Sequence, residues 1–140
     1  MRLLASTDFA LRVLLTLGEA PARRRSTEEL AVGIGVPRNH VQKIVQDLAA
    51  AGLVRTQRGA GGGVVLARPS EAIRIGEVVR RLETDQALVE CFRADVGACC
   101  FSPSCRLAGV LGRAQDRFMA VLDATTLEDC LGASPHIVAE

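Results

Sequence analysis

The chain has 140 residues, of which 49% are hydrophobic, 3% aromatic and 24% charged, a profile that fits one compact soluble domain and excludes intrinsic disorder, a collagen repeat and a multidomain enzyme. No apolar run approaches the roughly 18 to 20 residues that span a bilayer, and no small-residue cleavage site precedes Ser6-Thr7-Asp8, so the expected setting is the reducing cytoplasm, without membrane. The net charge of +1 hides an asymmetry: residues 1–70 hold ten Arg/Lys against five Asp/Glu and residues 71–140 seven against eleven, which fits a nucleic-acid-facing module joined to one with another task.

Phe9, Val13, Leu14 and Leu17 recur at helical spacing and Gly18 stops the pattern, predicting a first helix. After the loop Ala20 to Arg25, Ser26 and Glu29 have the spacing of a capping box, and a second helix runs through Leu30 and Val32 to a turn at Gly33-Ile34-Gly35. Pro37 is suited to the first position of a third helix. In that helix Val41, Ile44, Val45 and Leu48 form one inward stripe, leaving Arg38, Asn39, His40, Gln42 and Lys43 to project, and Gly52 closes it. Leu53 to Gln57 and Val64 to Leu66 read as two short strands around the glycine-rich tip Arg58 to Gly63. A fourth helix follows Pro69, carried by Ile75, Val78, Val79 and Leu82. A cysteine-bearing loop from Thr84 to about Ser104 leads to Leu107, Leu111, Ala114, Phe118 and Val121, spaced as the seam of two packed helices. The expected fold is mainly α with a small β-hairpin: a winged helix-turn-helix domain over residues 1–70, then a cluster-binding loop and long dimerisation helix over residues 71–140.

The major groove of B-DNA presents a distinguishable pattern of donors and acceptors, so polar side chains at the N-terminal end of a helix laid in it are placed to read sequence. Arg38, Asn39, His40 and Gln42 occupy that end, and Lys43 suits a base or a phosphate. The glycine density at the tip is entropically unfavourable, which suggests that a DNA backbone approaches it closely and that Arg58 enters a narrow minor groove. A nucleotide-binding loop is excluded, because RGAGGGVV lacks the terminal GK[ST].

Four of the five cysteines, Cys91, Cys99, Cys100 and Cys105, fall within fifteen positions of one another, while Cys130 stands apart and reads as a small buried hydrophobe. Clustered thiols in a reducing compartment suggest one soft metal centre. The C-x7-C-x5-C gaps lack zinc knuckles and no histidine lies nearby, whereas iron-sulfur clusters accept thiolates at varied spacings. Adjacent Cys99 and Cys100 cannot both easily reach one cubane, which makes three ligands the natural count and leaves one iron open to a small molecule. A cysteine-nucleophile enzyme is not expected, since the two histidines, His40 and His136, lie on the presumed DNA face and in the tail.

Three runs of residues carry a resemblance. They are Leu3 to Leu15 with Asp8-Phe9-Ala10-Leu11-Arg12, the wing Gly52-Leu53-Val54-Arg55 leading to RGAGGG, and Leu88-Val89-Glu90-Cys91-Phe92 leading to Cys99 through Leu107. Over nearly its whole length the chain resembles the NsrR-type repressors, the nitric-oxide-sensing branch of the iron-sulfur winged-helix regulator family that also includes IscR. The resemblance implies a homodimer that binds a palindromic operator in double-stranded DNA. It also implies an iron-sulfur cluster of the 4Fe-4S type, held by Cys91, Cys99 and Cys105 with Asp8 donated by the partner chain, and nitric oxide as signal. Position 108 is Ala where IscR-like members place a histidine, which argues against that branch; the x5 spacing to Cys105 favours Cys99 over Cys100. Without the resemblance, Asp8 reads as a charge near a helix N-terminus paired with Arg12 one turn on. The competing function is a regulator of the same fold that senses thiol oxidation or cluster supply.

Overall fold

The computed structural model describes residues 3–84, 87–94, 99–101 and 104–132. His136 and the C-terminal segment to Glu140 lie outside the described residues, as do Ser102 and Pro103 within the cysteine loop. Helix α1 (Ala5–Gly18) begins four residues ahead of its apolar repeat. Its start is fixed by polar groups: Asp8 lies in the first turn, where a negative charge suits the dipole, and the Leu4 backbone N–H donates to Glu83 Oε1 at 2.8 Å. Helix α2 (Thr27–Ile34) opens with the predicted capping box, in which Glu29 N–H donates to Ser26 Oγ and Ser26 N–H donates to Glu29 Oε2. It passes through Gly33 and ends at Gly35, whose φ of +68° is the left-handed cap that glycine accepts most readily.

Helix α3 (Arg38–Ala50) is capped by Pro37, one position before the helix proper, and Ala51 and Gly52 lead out of it. All four residues of its predicted inward stripe, Val41, Ile44, Val45 and Leu48, are buried. Strands β1 (Val54–Gln57) and β2 (Gly63–Leu66) pair antiparallel, with Val54 opposite Leu66 and Gln57 opposite Gly63. Arg25 makes an isolated antiparallel bridge to Val64, so the loop ahead of α2 lies beside β2. A 3₁₀ turn (Ser70–Ala72) precedes helix α4 (Ile75–Leu82), and helix α5 (Arg106–Ala124) is the longest element described.

One core joins these elements. The inner face of α1, Ala10, Val13, Leu14 and Leu17, packs with residues of α2, α3, both strands and α4. The core continues past residue 70: Ile73, Ile75, Val78 and Val79 belong to it, and so does Leu127, after α5, with no exposed surface. The chain reaches that point through a backbone stitch, in which Ile75 N–H donates to Thr125 O and Leu127 N–H donates to Ile73 O. Asp123 completes the seam between α4 and α5. Arg80 donates to both of its carboxylate oxygens, and Asp123 sits so close to α4 that a Cβ at Gly76 would lie 1.9 Å from its Oδ1.

The predicted seam of α5 is only half covered within the chain. Leu111 and Phe118 are half-buried, while Leu107 and Val121 are 62% and 65% exposed, and Val110 beside them is 51% exposed. Met119 and Leu122, on another side of the helix, are the residues that pack on the core.

Leu127→Ala should lower the unfolding free energy by about 2 to 5 kcal/mol, read from urea denaturation; a change below about 1 kcal/mol would mean that the core stands without the returning segment. The hydrogen bonds from Arg80 hold the Asp123 carboxyl below the usual carboxylate range. A depressed folded pKa gives stability that is present above the unfolded value and is lost as pH falls through the folded one. Asp123→Asn should therefore flatten that part of the acid dependence of Tm, and an unchanged acid limb would discount the clamp.

Candidate nucleic-acid interface and metal centre

Burial of the inner stripe of α3 decides what its other side presents. Arg38, Asn39, His40, Gln42 and Lys43 are all exposed. Arg38 Nε lies 3.1 Å from Glu28 Oε2 in the first turn of α2, and Lys43 Nζ donates to Asp47 Oδ1 at 2.7 Å along α3 itself. Both ion pairs are solvent-exposed and so weakly held, which leaves the two cations free to exchange their partners for a polyanion. The turn between α2 and α3 is short and anchored by buried Val36, which fixes the reading helix against its supporting helix.

The hairpin tip carries exposed Arg58. Its glycines have a different cause from the one expected. Gly59 and Gly61 have φ of +90° and +74°, a Cβ at Gly62 would lie 2.2 Å from Gln57 O, and Gly63 has φ of +141° beside the backbone of Arg25. The turn itself therefore demands glycine, and no approaching ligand is needed to explain the sequence. Arg58 keeps its suitability for DNA on charge and position alone.

Cys91 sits in a 3₁₀ turn (Glu90–Phe92), half-buried, and the neighbouring Phe92 ring lies beside α5, where a Cβ at Gly112 would meet its Cζ at 3.7 Å. Cys105 is the residue that caps α5, also half-buried. Cys99 is half-buried and Cys100 exposed; Cys130, expected as a small buried residue, is instead exposed in a 3₁₀ turn after α5 (Glu128–Cys130). All five are free thiols. Asp8 accepts from Arg12 Nη2 at 2.7 Å, and the Arg12 guanidinium also lies 5.6 Å from the Phe9 ring centroid. The pairing read for Asp8 as an ordinary helix charge is therefore present within the chain.

Among the described residues no three Cys, His, Asp or Glu side chains converge on a point that could hold a metal ion. The donor chemistry nevertheless suits an iron-sulfur group: three free, half-buried thiols on one segment, Cys91 in a 3₁₀ turn and Cys105 capping α5. The contact that sequence reading missed is the hydrogen bond between Glu83 and the start of α1. No local motif marks it, because its partners are 79 positions apart.

Three helices and a hairpin, a polar reading helix and a basic tip define a winged helix-turn-helix DNA-binding protein. The family model of Rrf2, described as an iron-dependent transcriptional regulator, matches residues 3–133, and the chain belongs to that family. It is a transcriptional regulator that acts on DNA and not an enzyme. Over 130 residues it is 42% identical to the HTH-type transcriptional regulator NsrR of Bacillus subtilis, covering 92% of this chain and 89% of the relative. The NsrR of Geobacillus kaustophilus is 41% identical over 132 residues, covering 94% and 90%. Among solved structures, CymR, the global cysteine regulator of B. subtilis, superposes with a TM-score of 0.77 at 26% identity, covering 96% of this chain and 98% of that one. The fold is likewise that of T. potens IscR, with a TM-score of 0.77. No helix among the described residues is long and apolar enough to cross a membrane.

Arg58→Ala should weaken DNA binding and make the dependence of log K on log salt shallower by about one unit. Fluorescence anisotropy across a salt series measures it, and an unaltered slope would remove Arg58 from the interface.

Proposed function

We propose that the chain is a homodimeric repressor whose grip on a palindromic operator depends on an iron-sulfur cluster, of the 4Fe-4S type, with nitric oxide as the signal. Cys91, Cys99 and Cys105 would hold the cluster, and Asp8 of the partner subunit would complete the ligand set. In this reading residues 1–70 read DNA, and residues 71–140 carry the cluster loop and the dimer helix. The observation that carries it is that Cys105 caps a helix, α5, whose apolar side stays exposed at Leu107, Val110 and Val121. A second copy that covers that side brings the two thiol-bearing loops close to each other's subunit. The NsrR names of relatives at 42% and 41% identity support the nitric-oxide branch.

When bound, the cluster supplies an iron with an exchangeable fourth ligand at which nitric oxide reacts. The chain's own part is a choice of partner for Asp8. Its carboxylate either stays on Arg12, as within the single chain, or is donated across the dimer. Since α1 carries both Asp8 and the core face that supports α3, that choice shifts the support of the reading helix. Two reading helices must lie about one DNA turn apart, roughly 34 to 36 Å, to enter successive major grooves. A coupling of about 1 to 3 kcal/mol changes affinity roughly 5 to 150-fold.

Protein isolated without air should be brown, with iron and sulfide in comparable amounts, and nitric oxide should bleach the spectrum and release DNA together. Cys91→Ser and Cys105→Ser should each lose the chromophore and DNA retention. Iron-free protein with full affinity in gel shifts would overturn the reading; if its binding were then lost on oxidation and restored by a thiol reductant, a thiol-disulfide switch would replace the cluster. Asp8→Ala should keep the three thiolate ligands yet change the response to nitric oxide, and an unchanged titration would leave Asp8 as the partner of Arg12 alone.

A further inference from the structure

We infer that Arg24, on the loop ahead of α2, is a DNA phosphate contact that joins the reading helix to the wing into one continuous basic strip. The inference rests on the DNA-binding role of α3 and the wing, and it adds a contact that neither contains. Arg23, Arg24 and Arg25 are consecutive. Their loop is pinned to the wing from one side, since Arg25 N–H donates to Val64 O at 3.2 Å and Val64 N–H donates to Arg25 O at 2.8 Å. Gly63 makes the approach possible: a Cβ there would lie 3.0 Å from Arg25 O and 3.2 Å from Arg24 Cβ. From the other side the loop is pinned to α2, because Arg23 Nη2 donates to Glu29 Oε1 at 2.8 Å, and Glu28 in the same turn meets Arg38 of α3. A chain of direct contacts thus runs from Arg38 through the first turn of α2 and the arginine loop to β2, the strand that follows the Arg58 tip.

Extended backbone sends neighbouring side chains to opposite faces. Arg25 is half-buried, with its Nε shielded and without a hydrogen-bond partner among the described residues, while Arg24 is exposed. The two acids of the strip are already engaged, Glu28 by Arg38 and Glu29 by Arg23 and the Ser26 N–H. Arg24 has no ion-pair partner among the described residues, although its backbone is held on both flanks. A cation fixed between two DNA-contacting elements with no protein counterion matches a backbone phosphate, which positions a protein on the duplex without reading bases.

The test uses the full-length protein prepared without air, a duplex that the wild type selects from a random-sequence pool, and a scrambled duplex of equal length. Arg24→Ala and Arg24→Gln should each make the salt slope shallower by about one unit on both duplexes, Arg24→Lys should retain it, and all three should melt like the wild type. Wild-type slope in Arg24→Ala and Arg24→Gln overturns the inference, as does weaker binding of the selected duplex alone, which would make Arg24 a base reader. Arg58→Ala separates the two levels: if it lowers the slope and Arg24→Ala does not, only the inference fails, whereas a wild type without salt-dependent binding removes the DNA reading and the inference together.

Discussion

Burial of the inner face of α1 is the constraint on which the rest of the structure depends. Ala10, Val13, Leu14 and Leu17 have at most 1% of their surface exposed and meet α2, α3, the wing and α4 in one core. Close packing makes such a core resist small displacements of a single element. The helix that supports α3 also carries half-buried Asp8 in its first turn, so a force applied at Asp8 is applied to the support of α3. In the function proposed above, that coincidence on one helix would couple the cluster to the DNA-reading face.

The acidic half is fastened to this core at two places. Ile73, Leu127 and the backbone bonds around them draw the end of α5 into the interior, and Asp123 is held between Arg80 and the bare backbone at Gly76. The other end of α5, with Leu107 and Val110, keeps an exposed apolar surface. Glu83, at the end of α4, bonds the start of α1, so the segment that leads to the cysteines begins from a residue that touches the helix bearing Asp8. The two halves of opposite charge thus share a single interior.

The elements legible in the sequence are those written in local rules. The inward stripe of α3, the Ser26–Glu29 capping box, the hairpin and the hydrophobic pattern of α4 all depend on residues within one or two turns, and each is present. The family read from the wing and the cysteine segment agrees with the Rrf2 match over residues 3–133. Boundaries shifted where the apolar repeat and the helix differ: α1 starts at Ala5 because polar groups, including a distant glutamate, satisfy its first turn. The tip glycines were legible as unusual, but their reason was not, because backbone angles and the contact between Gln57 and Gly62 exist only after the hairpin closes.

The sequence by itself determined the kinds of element, the polar side of the reading helix and the stock of thiols, since helical period, capping chemistry and residue type are properties of neighbouring positions. Tertiary structure alone decided that Arg25 lies beside the wing, that Leu127 belongs to the same core as Leu14, and that Glu83 holds the start of α1. The physical reason is that these contacts join residues tens of positions apart, and no local pattern encodes them.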